Sequence, residues 1–391
     1  MLQFSKYQGL GNDFLMVDGR GSAGADDSLG LTPERIRRIC DRRFGVGADG
    51  LILALPPQAD GELRMRIFNA DGSEPEMCGN GIRCLARFLA DSDGDAAGRR
   101  WQVETLAGRI VPELQEDGTV RVDMGAPFLA PEAVPTTLAR GEAGIPQGQL
   151  EVDGQMLAVG AAGMGNPHVV IPVDQVAAVD LERLGAALEV HPAFPARTNV
   201  HFVQALAPDH LVMRVWERGA GPTLACGTGA CATLVVCHRL GLVERSARLD
   251  LPGGPLWIDW DQASDHLFMT GPAEAVFDAV VTPALWGDDP FGDDRAAAAC
   301  VSTSSAELPT ATATATATAA VPAAEVPPID CATACVNGCI RPEACPSAEA
   351  RSRVEALLSS SSLDDLVALA TRSLEARTKA RFEREMGRPL E

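Results

Sequence analysis

Short runs rich in apolar residues recur along this chain, many of them bounded by glycine or aspartate, and this pattern predicts β-strands. In the N-terminal part the predicted strands are residues 2–8, 13–18, 50–55, 63–69 and 120–124. Further along they are residues 168–173, 199–204 and 211–216. The pattern therefore predicts that strands provide most of the regular structure.

Three segments instead have the spacing and boundary residues of helices. Thr32 and Pro33 are typical of an N-cap and a first helical turn, so a helix is predicted from there to about residue 44. A second predicted helix follows Gly81 and reaches about residue 90. The third runs from Gly229 to about residue 240 and is apolar on every side, which predicts that it is buried all round.

Two stretches of the sequence align without a gap. Residues 64–81 read RMRIFNADGSEPEMCGNG, and residues 212–229, which start 148 positions later, read VMRVWERGAGPTLACGTG. The alignment places Cys78 on Cys226, each followed by Gly-x-Gly. A second pair, GLGN at residues 9–12 and GMGN at residues 163–166, supports the repeat at a slightly different offset. The sequence thus predicts two copies of one domain.

We expect an α/β protein of the α+β type with two pseudo-symmetric domains. Each would be a curved, mostly antiparallel sheet around a central helix, with the active site in the cleft between them. The predicted domains are residues 1–126 and 127–270, and residues 271–286 are expected to return to the first. Residues 287–330, rich in Ala, Thr and Pro, are predicted to form a disordered linker. Residues 331–391 are predicted to form a small helical appendix, which contains Cys331, Cys335, Cys339 and Cys345.

Composition narrows the possible functions. The chain has 391 residues, 46% of them hydrophobic, and a net charge of −20 without basic patches. This charge argues against binding to nucleic acid or to anionic membranes. No apolar run reaches the roughly 18 residues of a membrane span, and the first residues do not have the pattern of a signal peptide. The 11 cysteines are therefore expected to be free thiols in the reducing cytoplasm.

Cys78 and Cys226 each precede a predicted helix that begins with Gly-x-Gly. A helix N-terminus stabilises a thiolate through the helix dipole and its free N–H groups. The glycines allow a ligand to approach the backbone, where the same N–H groups can bind a carboxylate. They would also stabilise the negative charge that develops when an α-proton leaves. The pair therefore suits an α-amino acid whose Cα hydrogen points at sulfur.

Other interpretations of the two cysteines are a structural disulfide, a zinc site and burial as small apolar side chains. A reducing compartment disfavours the disulfide, and the lack of a second ligand at short spacing disfavours zinc. The recurrence of the cysteines at equivalent points favours catalysis. Within the helical patterns, Cys40, Cys84, Cys231 and Cys237 are predicted to be core residues.

Polar residues recur around the two cysteines at equivalent or nearby positions. They are Asn12, Asn69, Asn166, Asn199, Glu217 and Arg218. Asparagine is common at strand ends for reasons of turn conformation alone. A ligand with both an amine and a carboxylate nevertheless explains Arg218 beside Glu217 better. His168 can be a core residue or the partner that orients a charged group.

The chain resembles the diaminopimelate epimerases, pyridoxal-independent enzymes of lysine and cell-wall precursor synthesis. The motifs that carry the resemblance span residues 1 to about 285 and read YQGLGNDF, DRRFGVGADG, FNADGSEPEMCGNGIRCLARF, GMGNPHVV, RTNVHFV and ERGAGPTLACGTGACA. The resemblance implies interconversion of LL- and meso-diaminopimelate by a cytoplasmic homodimer, with no cofactor and no metal. Gly50 and Phe277 depart from the family, some members of which have a glutamine and a dimer-interface tyrosine there.

Matched position by position, the resemblance implies that Cys78 and Cys226 form the acid/base pair and exchange roles with reaction direction. It implies supporting catalytic roles for His168 and Glu217. The implied carboxylate cradle is Gly79, Asn80, Gly227 and Thr228. The implied substrate contacts are Asn12, Asn69, Asn166, Asn199, Glu217 and Arg218.

Two alternative functions remain open. A proline or hydroxyproline racemase would share the paired cysteines, although Asn80 and the Glu217–Arg218 pair favour diaminopimelate. A binding or regulatory protein would use the cysteine-containing appendix, which could hold zinc or an iron–sulfur cluster. The cysteine spacings fit neither common zinc knuckles nor ferredoxins well. They also place three of the cysteines on one helix face, so disulfide or packing roles stay equally open.

Overall fold

The computed structural model describes residues 2–21, 30–281 and 285. The predicted linker at residues 287–330 and the predicted appendix at residues 331–391 lie outside the described residues. The helices are α1 (Pro33–Cys40), α2 (Gly79–Asp93), α3 (Leu181–Glu189) and α4 (Gly227–Arg239), with a short 3₁₀ turn at Val176–Ala178. No helix in the described residues is long and apolar enough to cross a membrane.

Strands provide most of the regular structure, as the sequence predicts. The first nine are β1 (Leu2–Gly9), β2 (Asn12–Asp18), β3 (Gly50–Leu55), β4 (Leu63–Asn69), β5 (Val103–Thr105), β6 (Gly108–Ile110), β7 (Pro112–Leu114), β8 (Val120–Asp123) and β9 (Gln147–Val152). The others are β10 (Gln155–Gly163), β11 (Pro167–Pro172), β12 (Asn199–Ala207), β13 (His210–Glu217), β14 (Gly221–Thr223), β15 (Ser246–Leu251), β16 (Gly254–Trp260), β17 (Leu267–Gly271) and β18 (Glu274–Val281).

The strands form two mixed sheets with matching pairing patterns. One has the order β18-β1-β2-β3-β4-β5-β6, and the other contains β9-β10-β11-β12-β13-β15-β16. Parallel pairing occurs at the same steps in both sheets, between β2 and β3, β4 and β5, β11 and β12, and β13 and β15. The other pairings along these two series are antiparallel. The predicted α+β class and its pseudo-symmetry are therefore confirmed.

Each sheet packs around one buried helix. The core of the first sheet contains Ile82, Leu85 and Leu89 of α2, and the core of the second contains Leu234 and Val235 of α4. Valine is a modest helix former, so burial rather than propensity stabilises α4. The other faces of the sheets are covered by separate clusters that include α1 and α3.

Helix α1 ends at Cys40, so the prediction that it reaches residue 44 was wrong. Asp41 leaves the helical conformation at φ −63° and ψ 124°. Its carboxylate accepts hydrogen bonds from the N–H groups of Arg43 and Phe44, both at 2.7 Å. Aspartate often makes such local bonds in turns, and here they replace the continuation of the helix.

Strands near the middle and the end of the described chain link the two halves. Strand β8 pairs with β17 and β7 pairs with β8, so both extend the second sheet. Yet Leu114, Val120 and Val122 of these strands pack in the core around α2. Strand β18 returns to pair antiparallel with β1. Hydrogen bonding and packing thus divide the chain differently, and the predicted boundary at residue 126 stays a prediction.

The turn between β1 and β2 also connects the halves. Leu10 lies in this turn at φ 57°, yet its side chain belongs to the core around α4. A Cβ atom added to Gly253, in the turn between β15 and β16, would overlap the carbonyl oxygen of Leu10. Because the obstacle is backbone, the two turns can pack this closely only with glycine at position 253.

Gly253→Ala is therefore expected to lower the free energy of unfolding by about 2–3 kcal/mol, because the added methyl group forces the two turns apart. The measurement is urea denaturation of the full-length protein. Gly21→Ala is the control, since none of the described residues lies within 4 Å of a Cβ at that position, and a change within about 0.5 kcal/mol is expected. Equal effects of the two substitutions would contradict this account of the contact.

Candidate active site

The two repeated cysteines occupy the same local structure. Cys78 is the N-cap of α2 at φ −137° and ψ 122°, and Cys226 is the N-cap of α4 at φ −134° and ψ 109°. Their carbonyl groups accept the first helical hydrogen bonds, from Ile82 and Ala230, both at 2.9 Å. The N–H groups in the first turn of a helix have no partner inside it, so these groups are available next to both thiols.

The N-termini of α2 and α4 meet directly. A Cβ atom added to Gly79 would lie 3.9 Å from the Cα atom of Gly227, and one added to Gly227 would lie 3.8 Å from the Cα atom of Gly79. The sulfur of Met269 would lie 2.9 Å from the latter Cβ. This close approach brings two positive helix ends together. Such an arrangement favours an anion.

A cleft of about 510 Å³ opens at this meeting point. Among the residues that line it, the sequence predicts Asn12, Asn69, Cys78, Gly79, Asn80, Asn166, Glu217, Arg218, Cys226, Gly227 and Thr228 as functional. The lining residues that the sequence analysis missed are Pro75, Glu76, Met77, Ala107, Met164, Gly165 and Ala225. Most of these lie inside the repeated motifs, so their positions in the repeat could have identified them, whereas the chemistry of their side chains could not.

On the first side of the cleft, Asn12 connects several groups. Its Nδ2 donates to Asp49 Oδ2 at 2.7 Å, and its Oδ1 accepts from Asn80 Nδ2 at 3.3 Å. The Cys78 sulfur lies 3.8 Å from the same Oδ1. Asp49 was missed by the sequence analysis, although it lies in the DRRFGVGADG motif. Its bond fixes which end of the Asn12 amide faces the thiol.

Asn69 is tied to its own turn, since its Nδ2 donates to Ser73 Oγ at 3.0 Å. On the second side, Glu217 Oε1 accepts from Thr223 Oγ1 at 2.6 Å. Burial raises the pKa of the Glu217 carboxyl above its usual range. Sequence position makes Asn69 and Glu217 equivalent, so at this point of the repeat the second side of the cleft has an acidic group where the first has an amide.

Cys226 is buried, and Cys78 is partly buried at the wall of the cleft. Burial raises the pKa of Cys78, and the N–H groups of Gly81 and Asn80 oppose this rise. Burial raises the pKa of Cys226 well above its usual range, and the neighbouring Glu217 carboxylate adds to the rise. The sulfur of Cys226 lies 3.6 Å from Thr228 Oγ1, which opposes it. The helix N-termini therefore work against desolvation at both sulfurs.

His168 lies behind the cleft and is fully buried. Its Nε2 lies 2.7 Å from Asn166 Oδ1, and its Nδ1 lies 2.9 Å from His201 Nε2. Since the amide oxygen can only accept, His168 must donate from Nε2, and His201 must donate to His168 Nδ1. The chain of bonds turns the NH₂ group of Asn166 away from His168. His201 was missed by the sequence analysis, although it lies in the RTNVHFV motif.

Asn199 is also buried and does not line the cleft. Its Nδ2 donates to the carbonyl of Pro167 at 2.9 Å, and its Oδ1 accepts from the backbone N–H of Arg218 at 3.0 Å. The Arg218 side chain donates to the carbonyl of Ala196 at 3.0 Å. Asn199 thus holds the backbone of a cleft residue. Direct substrate contact from Asn199 stays a prediction.

The histidine pair predicts a pH-dependent stability. Burial lowers the pKa of His201 to about 3 and that of His168 well below its usual range. Unfolding restores values near 6.5, so the unfolded state binds more protons below that pH. Stability is then fully present above pH 6.5 and falls by about 1.4 kcal/mol per histidine for each pH unit below it.

Between pH 7 and pH 5.5 the two histidines should together lower the free energy of unfolding by about 2–3 kcal/mol. Urea denaturation at the two pH values measures this loss. His201→Gln keeps a side-chain donor towards His168 but cannot bind a proton, so it should remove about half of the loss. An unchanged loss in this variant would show that His201 does not titrate on unfolding.

The remaining described cysteines lie in the cores, as the sequence predicts. Burial raises the pKa of Cys40, Cys84, Cys231 and Cys237 to about 12 in each case. Within residues 2–21 and 30–281, moreover, no three His, Cys, Asp or Glu side chains come together in a way that could hold a metal ion.

Comparison with known proteins identifies the family. The model of the family described as diaminopimelate epimerase matches residues 4–129 and 160–276. A diaminopimelate epimerase from Prochlorococcus marinus (strain MIT 9313) is 60% identical over 285 residues, which cover 73% of this chain and 94% of the relative. The chain belongs to the diaminopimelate epimerase family. The enzymes of this family are isomerases. A second member, from Synechococcus elongatus, is 55% identical over 276 residues, which cover 71% of this chain and 96% of the relative.

Solved structures share the fold of this epimerase family member at low identity. A hydroxyproline epimerase from Agrobacterium vitis is 16% identical with a TM-score of 0.51, covering 73% of this chain and 97% of that one. A phenazine biosynthesis protein of the PhzF family from Bacillus anthracis is 18% identical with a TM-score of 0.50, covering 72% of this chain and 99% of that one. These likenesses concern the fold alone.

Proposed function

We propose that this isomerase interconverts LL-2,6-diaminopimelate and meso-2,6-diaminopimelate by proton transfer at one α-carbon. The single observation that carries the proposal is the pair of N-cap thiols, Cys78 and Cys226, at two helix N-termini that meet on one cleft. Epimerisation needs a base on one face of the carbon and an acid on the other. Two equivalent thiols in different ionisation states supply both.

The reacting carboxylate binds where the two helix ends meet. The backbone N–H groups in the first turns, at Gly79, Asn80, Gly227 and Thr228, donate to its oxygens. Loss of the α-proton moves negative charge onto this carboxylate, so the same donors stabilise the carbanionic intermediate more strongly than the substrate. This stabilisation makes removal of a weakly acidic α-proton possible without an electron-withdrawing cofactor.

In one direction a cysteine thiolate removes the α-proton, and the opposite thiol donates its own proton to the other face. One C–H bond breaks and one forms, while the ionisation states of the two sulfurs are exchanged. The reverse reaction starts from that exchanged state. Exclusion of water from the cleft keeps the intermediate from taking a proton from solvent on the wrong face.

The other end of the substrate carries a second amine and carboxylate. Arg218 matches this carboxylate, and the NH₂ group of Asn166, turned away from His168, is free to donate to the ligand. Glu217 hydrogen-bonds to Cys226 and so lies at the reacting carbon, where it matches the amine of that end. Asn12 and Asn69 provide further amide contacts. His168 acts by fixing Asn166, since a neutral, fully buried imidazole is poorly suited to transfer protons to the ligand.

The direct test is full-length, reduced protein with LL-diaminopimelate in D₂O, with the LL-to-meso ratio and α-deuterium followed by NMR. We expect conversion with one deuterium incorporated at the inverted carbon. L-Proline and 4-hydroxyproline, tested in parallel, should not be epimerised. Turnover of proline instead of diaminopimelate would replace this proposal with the racemase alternative.

The reaction supplies meso-diaminopimelate for lysine and peptidoglycan precursor synthesis, which we place in the cytoplasm. The six described cysteines are free, as expected for a reducing compartment. We further infer a homodimer through β18, an edge strand of the first sheet whose Val276 and Val280 are 50% and 42% exposed on one face. Light scattering should give twice the chain mass, and Val280→Lys should shift it towards the monomer.

A further inference from the structure

Arg83 is a buried cation that has no acidic partner among the residues described by the structure. Its side chain is fully buried in the first half of α2, one turn after Gly79. Its guanidinium donates to Asn80 Oδ1 at 2.8 Å, Gly79 O at 3.1 Å, Pro272 O at 3.3 Å and Met269 Sδ at 3.4 Å. All four acceptors are neutral, and among the described residues it forms no ion pair. A buried cation is costly unless an anion balances it.

Two glycines leave the space that the Arg83 guanidinium occupies. Cβ atoms added to Gly9 and Gly271 would lie 3.5 Å from Arg83 Nη2 and 3.3 Å from Arg83 Nε. The guanidinium therefore lies between two glycines, at the ends of β1 and β17. It also points back to the N-terminus of α2, whose partial charge is already positive. Both features place positive charge at the start of α2, where it acts on the thiols of Cys84 and Cys78.

The two halves of the protein differ at this point. The repeat that aligns Cys78 with Cys226 aligns Arg83 with Cys231, which is buried and neutral. The same repeat aligns Asn69 with Glu217, so the acidic group belongs to the other half. The first half thus has a buried cation, Arg83, where the second half has the neutral Cys231. The second half has an acid, Glu217, where the first half has the amide of Asn69. Both differences favour ionisation of Cys78 over ionisation of Cys226.

We propose that Arg83 is a positioning residue that places the thiolate of the free enzyme on Cys78 and leaves Cys226 as the thiol. It acts through Asn80 and Gly79, which it holds at the start of α2, and through its charge. This inference rests on the proposed two-thiol chemistry and deepens it, because it assigns the ionisation states of the two thiols in the free enzyme.

Other charged or titratable groups face this region and must be considered together with Arg83. They are Cys84 on α2, Cys226 and Cys231 on α4, Glu217 on β13, Glu76 and Arg218 on the cleft wall, and Asp13 and Asp49 beyond Asn12. Of these, Glu217 disfavours a thiolate at both sulfurs, and it also hydrogen-bonds to Cys226. Arg83 favours the thiolate at Cys78.

Steady-state rates cannot reveal which thiol is ionised, since the equilibrium constant fixes the ratio of kcat/KM in the two directions. The ionisation of each thiol must therefore be measured separately. We would alkylate the full-length, reduced protein with iodoacetamide from pH 6 to 10 and quantify the Cys78 and Cys226 peptides by mass spectrometry. Alkylation follows the thiolate fraction, so each profile gives one apparent pKa.

In the wild type we expect Cys78 to ionise at lower pH than Cys226. In Arg83→Met, which removes the charge but keeps much of the volume, the Cys78 profile should move up by at least about one pH unit, a tenfold slower alkylation at neutral pH. Arg83→Lys keeps the charge and should keep the order of the two thiols. Cys231→Ala, at the equivalent point of α4, should move neither profile.

Two results would overturn the proposal. One is a wild-type protein in which Cys226 ionises first, a result that needs no variant to fold. The other is an Arg83→Met protein that melts as a folded chain and has an unshifted Cys78 profile. Neither readout uses substrate, so a failure of the epimerase assignment would appear separately, as absent turnover of diaminopimelate with the thiol order intact.

Discussion

Cys226→Ala is expected to lose most of its net epimerisation activity and yet to retain α-proton exchange on one of the two stereoisomers. With one thiol left, Cys78 can still remove the proton from the epimer whose Cα hydrogen faces it. Its S–H then exchanges with solvent, and deuterium returns to the same face, with retention. Cys78→Ala should show the same behaviour on the opposite epimer. Loss of the acid or base should lower the epimerisation rate by about 10²–10⁴-fold.

The measurement is NMR of LL- and meso-diaminopimelate in D₂O with each variant, following deuterium and configuration separately. Cys237→Ala is the matched control, because Cys237 is buried in α4 away from the cleft lining and should leave the rate within about twofold. Exchange on the same epimer in both cysteine variants would contradict the assignment of one thiol to each face.

Oxidation of reduced protein with hydrogen peroxide should inactivate the enzyme completely, because a Cys78–Cys226 disulfide leaves neither sulfur able to carry a proton. The two thiols lose two protons and two electrons, and peroxide is reduced to two molecules of water. Gly79 and Gly227 follow the two cysteines directly and lie against each other, so the segments that carry the two thiols are already adjacent. Dithiothreitol should restore full activity.

Peptide mapping under non-reducing conditions identifies the bond and separates it from oxidation of other cysteines. The peptides of Cys78 and Cys226 should appear linked, and substrate present during oxidation should slow the linkage. Inactivation that dithiothreitol reverses, but without this linked peptide, would assign the sensitivity to another cysteine pair. Inactivation that dithiothreitol does not reverse would indicate oxidation beyond the disulfide.

The sequence predicted the strands β3 and β4 residue for residue, because β3 is an apolar run that begins at a glycine and β4 alternates buried apolar residues with partly exposed arginines. It missed α3, β5–β7, β9, β10 and β14–β17, which are short or have less distinct patterns. Residues 155–163, for example, begin with four residues that are at least partly exposed and end with five buried ones, a mixture that does not alternate. Such strands are specified by their neighbours in the sheet rather than by their own residues.

The candidate site shows a similar division between residues that line the cleft and residues that support them. Chemistry at repeated positions was sufficient to select Cys78, Cys226 and Glu217, all of which line one cleft. Asp49, His201 and Arg83 could not be selected in this way, since an aspartate, a histidine and an arginine within a motif have many structural roles. Their significance comes from what they contact across the fold.

The sequence by itself determined the pseudo-symmetric α+β class, the pairing of the two cysteines and the family, because a repeat and a set of ordered motifs need no coordinates to be recognised. Only the tertiary structure decided that β7 and β8 join the second sheet while packing on α2, and that α2 and α4 meet at two glycines. It also decided that Arg83 is buried without an acidic partner among the described residues. These features depend on contacts between residues far apart in sequence, and local pattern does not encode such contacts.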